Sequence, residues 1–153
     1  MARARGLPSV KLSPTFRFIR EEDAKLPFRS GEALGTLKEF VELSRLEGHV
    51  VVVKEIDGEV LGVALIVVEG KTLTIDRLAR DLDHGYKGIG GELILVVEKE
   101  IAPHYGAKEL RLEAMNEALV KFYKERFGFA PRGPRVRDEE WGWLYPMSKK
   151  IGQ

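Results

Sequence analysis

The stretch from His49 to Arg80 constrains the fold more than any other part of the sequence. His49–Ile56 (His-Val-Val-Val-Val-Lys-Glu-Ile) is dominated by β-branched residues, which fit a pleated, buried surface and lose freedom in a helix. Asp57-Gly58 follows it, a dipeptide suited to the positive φ angles of a two-residue hairpin turn. Glu59–Glu69 supplies the partner strand, and a second turn at Glu69-Gly70-Lys71 leads into Thr72–Arg80. A β-meander is therefore expected in the middle of the chain.

On either side the periodicity changes. Thr15–Ile19 alternates and predicts a short strand, and Glu21–Phe28 a helical turn stopped around Pro27. Ser30 is placed to cap a helix carrying Leu34, Leu37, Phe40, Val41 and Leu43, ended by Gly48. After the meander, Asp81–Gly88 is a polar, glycine-containing loop. The apolar core of Ile89–Tyr105 suits a strand by composition alone. Its length and flanking charges favour a helix with Ile89, Leu93, Val96, Val97 and Ile101 on one face. Lys108–Ala114 alternates as a strand, Glu117–Phe127 is a helix with Gly128 past its end, and Trp141–Lys149 is a last strand. Pro146 places that last strand at an edge, or stops it there. The order β-α-α-β-β-β-α-β-α-β predicts an α/β (α+β) fold with a mixed sheet. With 153 residues and no repeat or linker, one domain is expected over residues 1–153, loose through about residue 13.

Composition narrows the function. Cysteine is absent, which excludes a disulfide framework and a thiolate site, and His49, His84 and His104 lack metal-ligand spacing, so no metal is expected. A formal net charge of +1 speaks against a dedicated nucleic-acid binder. The basic N-terminus lacks the apolar run of a signal peptide, and no stretch approaches the roughly 18 apolar residues of a membrane span. A cytoplasmic protein without membrane attachment is the expectation.

Gly85-Tyr86-Lys87-Gly88-Ile89-Gly90-Gly91 lies between a strand and a helix. A helix N-terminus carries unpartnered N–H groups and the positive end of the dipole, and glycines let phosphate oxygens approach them. A diphosphate is the natural ligand, and an ordinary loop needing positive φ is the plain alternative. Leu93 stands where a dinucleotide fingerprint needs its third glycine, and the Walker Lys-Ser/Thr pair is absent. A nucleotide binder using the same turn stays open.

Here the sequence resembles the GNAT N-acetyltransferase superfamily. Gly85-Tyr86-Lys87-Gly88-Ile89-Gly90 is similar to that family's Q/R-x-x-G-x-G/A motif, with Gly85 in place of the usual Gln or Arg. Ile75–Arg80 resembles the family's fourth strand. Asn116 and Tyr123, within Asn116-Glu117-Ala118-Leu119-Val120-Lys121-Phe122-Tyr123-Lys124-Glu125-Arg126-Phe127-Gly128-Phe129, resemble its Asn…Phe-Tyr-x-x-x-Gly-Phe segment. The resemblance spans roughly residues 50–129. It implies a mixed, mostly antiparallel sheet of six to seven strands with helices on both faces. It also implies acetyl-CoA as co-substrate and transfer of its acetyl group to an amine.

The resemblance assigns residues as well. The strand backbone at Leu78, Ala79 and Arg80 would pair with the pantetheine arm, with Leu78 and Arg80 amides polarising the acetyl carbonyl. Gly85, Tyr86, Lys87, Gly88, Ile89, Gly90 and Gly91 would cradle the diphosphate. Asn116 would help hold the coenzyme, or serve as an ordinary N-cap. Tyr123 is the candidate acid, or a core tyrosine. Asp76 is the candidate base and Glu113 the runner-up, unless they pair with Arg77, Arg80 or Arg111. The family's first helices and last hairpin line the acceptor cleft, which here would involve Glu21, Glu22, Asp23, Arg132, Arg135, Arg137, Asp138, Glu139, Glu140, Trp141 and Trp143. Trp141, Trp143 and Tyr145 alternate onto one strand face, as core or as a homodimer contact. A non-catalytic coenzyme-A-binding regulatory module is the alternative from another class.

Asn116 is the only asparagine and Gln153 the only glutamine, while Glu, Lys and Arg abound. This predicts heat adaptation. A calorimetric melting midpoint above the roughly 45–65 °C of mesophile domains is expected, and one inside that range contradicts it.

Overall fold

The computed structural model describes residues 10–30 and 35–152. Its strands are β1 (Phe16–Phe18), β2 (His49–Ile56), β3 (Glu59–Glu69), β4 (Thr72–Arg80), β5 (Glu109–Ala114), β6 (Ala130–Pro131), β7 (Val136–Asp138) and β8 (Gly142–Lys150). The helices are α1 (Leu37–Leu43), α2 (Ile89–Val96) and α3 (Glu117–Phe127). The sheet order is β1-β2-β3-β4-β5-β8-β6, with β7 pairing β8 off that path. All neighbours are antiparallel except β4 and β5. The mixed, mostly antiparallel sheet is as expected, and its 8 strands exceed the six to seven anticipated. The extra strands are the short β6 and β7, too brief for alternation to reveal.

The valines of β2 sort by the period of two. Val50 and Val52 join the apolar cluster under α2, while Val51 and Val53 join the one under α1. Both faces are buried, which is why the strand reads as a continuous apolar run. Leu119, Val120, Tyr123 and Phe127 of α3 pack on the α2 side. Helices therefore cover both faces.

Several boundaries move. Helix α1 starts at Leu37, capped by Thr36, whose Oγ1 accepts from Glu39 N at 3.2 Å. Ser30 instead donates to Gly35 O at 2.7 Å, and residues 31–34 of the expected helix lie outside the described residues. The run from Ile89 to Tyr105 is helical but not uniform: it widens into a π turn at Val97–Ile101 and tightens into a 3₁₀ turn at Ala102–Tyr105. Pro146 neither ends β8 nor marks an outer edge, since β5 flanks it at Glu113. On the other side β8 changes partner, from β7 at Leu144 to β6 at Met147. Pro146 O accepts from Arg132 N at 3.1 Å on that side, so its missing N–H falls in the gap between two short ladders.

The 3₁₀ turn Glu21–Lys25 is pinned by Asp23, only 1% exposed. Burial alone would raise the Asp23 pKa, but hydrogen bonds from Arg17 (2.7 and 2.9 Å) and from Arg20 N (2.7 Å) hold it below the usual carboxylate range. Glu21 pairs with Arg45. Asp23 therefore serves the scaffold rather than an acceptor cleft, and Glu21 forms an exposed ion pair.

The start of α2 lies directly on β3. A Cβ at Gly62 would meet Ile89 Cγ2 at 2.2 Å, so only glycine permits this approach. Replacement by Ala should overpack the contact and cost about 1–3 kcal/mol, read as a fall in the denaturation midpoint at unchanged m-value. An unshifted midpoint would show that α2 can lift away freely.

Candidate active site

Strand β4 leaves its neighbour halfway along. It pairs with β5 only from Thr72 to Ile75, opposite Glu109–Leu112. In the ladder with β3, Ile75 faces Ile66 and Arg77 faces Leu65, so Asp76 is one residue too many. Such a bulge bends the strand and reverses which face later side chains occupy. Leu73, Ile75 and Leu78 accordingly lie toward α2, while Ala79 is buried toward α1. Beyond the bulge, Asp81 N donates to Leu61 O at 2.9 Å. Alternation then turns the N–H groups of Arg80 and Leu78 away from β3, toward the gap that β5 has left. Ala79 stands between them with its backbone directed at β3, so it adds a core side chain rather than a donor to the gap.

The gap opens into a cleft of about 270 Å³. Its walls carry Asp76 and Leu78 from β4, Glu113 from β5, Tyr123 from α3, and Asp138 and Trp141 from the β7–β8 hairpin. The three residues expected to perform chemistry, distant in sequence, thus share one cleft. Burial pushes the Tyr123 phenol pKa up, so it stays protonated through the neutral range. Asp76 and Glu113 are exposed, and neither forms an ion pair among the described residues. Arg111, one possible partner, is occupied by Glu109 at 3.0 Å. Arg77 points to the other face, where its Nη1 lies near Gly35 and Glu39.

Next to Leu78, which also lines the cleft, runs the glycine turn into α2. Gly88 is the N-cap residue at φ 85, ψ 9, a left-handed conformation that suits glycine. The first helical bond of the turn is Glu92 N to Gly88 O at 3.0 Å, which leaves the N–H groups of Ile89, Gly90 and Gly91 without helical acceptors. Nothing lies within 4 Å of a Cβ built at Gly85 or Gly88. Underneath, a Cβ at Gly91 would meet Phe127 at 3.1 Å and one at Gly90 would meet Leu78 at 3.5 Å. The turn is thus packed below and open above, as an anion cradle requires. Lys87 is exposed beside it.

Tyr86 faces inward instead. Its hydroxyl donates to Glu92 Oε2 at 2.7 Å, and the other carboxylate oxygen lies 2.7 Å from Lys54 Nζ. Burial alone would raise the Glu92 pKa, but Lys54 and Tyr86 together hold it below the ordinary value. The sequence signal for Lys54 is a charge that directly follows the valine run of β2.

Asn116 Oδ1 accepts from Leu119 N at 2.8 Å and so caps α3. The hairpin residues divide. Asp138 Oδ1 accepts from Glu140 N at 2.8 Å and Trp141 N at 2.9 Å, which fixes the turn. Trp141 belongs to that turn rather than to β8, so it lines the cleft and does not share a face with Trp143. Trp143 is 40% exposed and stacks under Arg135 and Arg137, at 4.0 and 5.6 Å from the ring centroid. Glu140 lines a second recess with Arg29, Glu39 and Arg77.

A family model described as acetyltransferase (GNAT) family matches residues 15–129. Similar solved structures include the ribosomal-protein-S18-alanine N-acetyltransferase from Escherichia coli, at TM-score 0.73 and 20% identity, covering 91% of this chain and 94% of that one. Ard1 from Thermoplasma volcanium is similar at TM-score 0.70 and 20% identity, covering 90% and 97%. A GNAT family acetyltransferase from Elizabethkingia anophelis, solved with acetyl-CoA bound, is similar at TM-score 0.61 and 14% identity, covering 91% and 100%. At these identities the likeness is one of fold. None of the curated proteins matches the sequence significantly.

Gly88 and Gly85 should differ on substitution. Gly88→Ala puts a Cβ into the left-handed region and is expected to cost about 1–2 kcal/mol. Gly85→Ala, at ordinary φ with open space, should leave the denaturation midpoint unchanged or slightly higher. Equal losses at both positions would remove the distinction.

Proposed function

The chain belongs to the GNAT acetyltransferase family, and on that premise we propose that it transfers the acetyl group of acetyl-CoA to a primary amine by direct attack on the thioester. The observation that carries this reading is the convergence of Tyr123, Asp76 and Glu113 on the gap beside β4. Acetyl-CoA supplies the activated acetyl group. The outward N–H groups of Ile89, Gly90 and Gly91 hold its diphosphate, with Gly85–Gly88 shaping the approach and Lys87 adding charge. Asn116, capping α3 between the cleft residues Met115 and Leu119, helps position the coenzyme.

Beside β4, the N–H groups of Leu78 and Arg80 donate to the acetyl oxygen, where negative charge develops as nitrogen attacks. A lysine-type acceptor amine, with a pKa of about 10.4, must lose a proton first. Asp76 is the base that accepts it, directly or through one water, and Glu113 is the second choice. Tyr123, kept protonated by burial, donates to the departing sulfur. The protons balance. The ammonium gives up one proton before attack and a second as the amide forms. One proton ends on the thiol, and one is released to solvent.

The acceptor is an amine of a peptide or a small molecule, entering past Trp141 and Asp138. Thiol release from acetyl-CoA, followed across a panel of amines, tests the reading. Tyr123→Phe should lower kcat by about 10²-fold, with KM for acetyl-CoA nearly unchanged. Asp76→Asn should lower kcat/KM by about 10²-fold, while Glu113→Gln should change it only a few-fold. Undiminished kcat in Tyr123→Phe would retire its acid role. Coenzyme binding without turnover on any amine would favour a binding module.

A further inference from the structure

Lys54 is a buried cation for which neither the fold nor the chemistry above accounts. Its side chain is 6% exposed, directly after the four consecutive valines of β2. Burying a charge is costly, and an apolar residue at such a position is often as stable or more so. Two of its partners, Glu92 and Tyr86, belong to the glycine turn and the first turn of α2, and two, Thr15 and Phe16, to the start of β1. Nζ lies 2.7 Å from Glu92 Oε1 and 3.1 Å from Thr15 Oγ1. It also sits over the rings of Phe16 and Tyr86, at 4.6 and 4.9 Å.

Glu92 creates a conflict that Lys54 resolves. A carboxylate in the first turn of a helix is attracted by the same dipole that would draw an anionic ligand. Left uncompensated, it repels a diphosphate arriving at Ile89–Gly91. Here one oxygen is drawn inward by Lys54 and the other by the Tyr86 hydroxyl.

We propose that Lys54 is a positioning residue for the coenzyme: its buried charge neutralises Glu92 and keeps the N-terminus of α2 receptive to a diphosphate. The role rests on the reading of Gly85–Gly91 as the diphosphate site. It acts through Glu92 and Tyr86 without Lys54 touching the ligand.

The signs of two substitutions separate this role from simple packing. CoA is titrated calorimetrically into wild type, Lys54→Met, Glu92→Gln, Lys54→Arg and the double variant Lys54→Met/Glu92→Gln, each checked for cooperative melting. Lys54→Met leaves an uncompensated carboxylate and should raise the Kd roughly fivefold. Glu92→Gln removes the repelling charge and should bind as tightly as wild type or tighter. Lys54→Arg should stay near wild type, and the double variant should recover most of the loss. A packing role predicts weaker binding in both single variants and no recovery in the double. That pattern, or an unchanged Kd in Lys54→Met, overturns the proposal. If Lys54→Met fails to fold, weaker binding by Glu92→Gln still refutes it and equal or tighter binding supports it. Wild type that does not bind CoA overturns the coenzyme reading itself, and this role with it.

Discussion

Half of strand β4 gives up its hydrogen bonds to β5, and the working side of the molecule is built around that loss. Backbone N–H groups away from water need partners. The bulge at Asp76 ends the parallel ladder after Ile75 and aims the amides of Leu78 and Arg80 into open space. Strand β5 turns away with β8, so the sheet stays continuous at one end and parts at the other. A strand edge exposed inside a fold is a template for an extended ligand. On the proposed reading, that ligand is the pantetheine arm of acetyl-CoA, whose amide groups would complete it.

The second half of the site is a helix end, and its cost is met by close packing beneath. Gly62 lets Ile89 rest on the sheet, Phe127 closes over Gly91, and Leu78 reaches Gly90. These contacts leave the upper side of the turn free. The electrostatics follow the same division. The partly exposed Glu92 carboxylate is held by Lys54 on one oxygen and by the Tyr86 hydroxyl on the other. Shape and charge are thus set by different residues on different strands and act on one turn.

The open side of the cleft is framed by the tail of the chain, where Asp138 fixes the hairpin that carries Trp141 into it. At the other end of the chain, Asp23 and Arg17 tie the N-terminal turn to β1. Acidic and aromatic groups of the tail divide accordingly. Some face the cleft, and others, such as Trp143 with its two arginines, face away.

Strand and helix types were legible because they follow from local preference. The valine run, the Asp57-Gly58 turn, the boundaries of β2, β3, β4 and α3, and the glycine turn all depend on neighbours within a few residues. The start of α1 is not legible, because Ser30 and Thr36 are both competent caps and only packing selects between them. The place of Pro146 is not legible either, because edge status depends on which strands lie alongside. The sequence by itself determined the long strands, the main helices and the glycine turn that opens α2, since those properties arise from φ/ψ preference and side-chain period. Only the tertiary structure decided that β4 bulges at Asp76, that Asp76, Glu113 and Tyr123 share one cleft, and that Lys54 reaches Glu92. Those are long-range contacts, set by how strands register and helices dock, and no spacing along the chain encodes them.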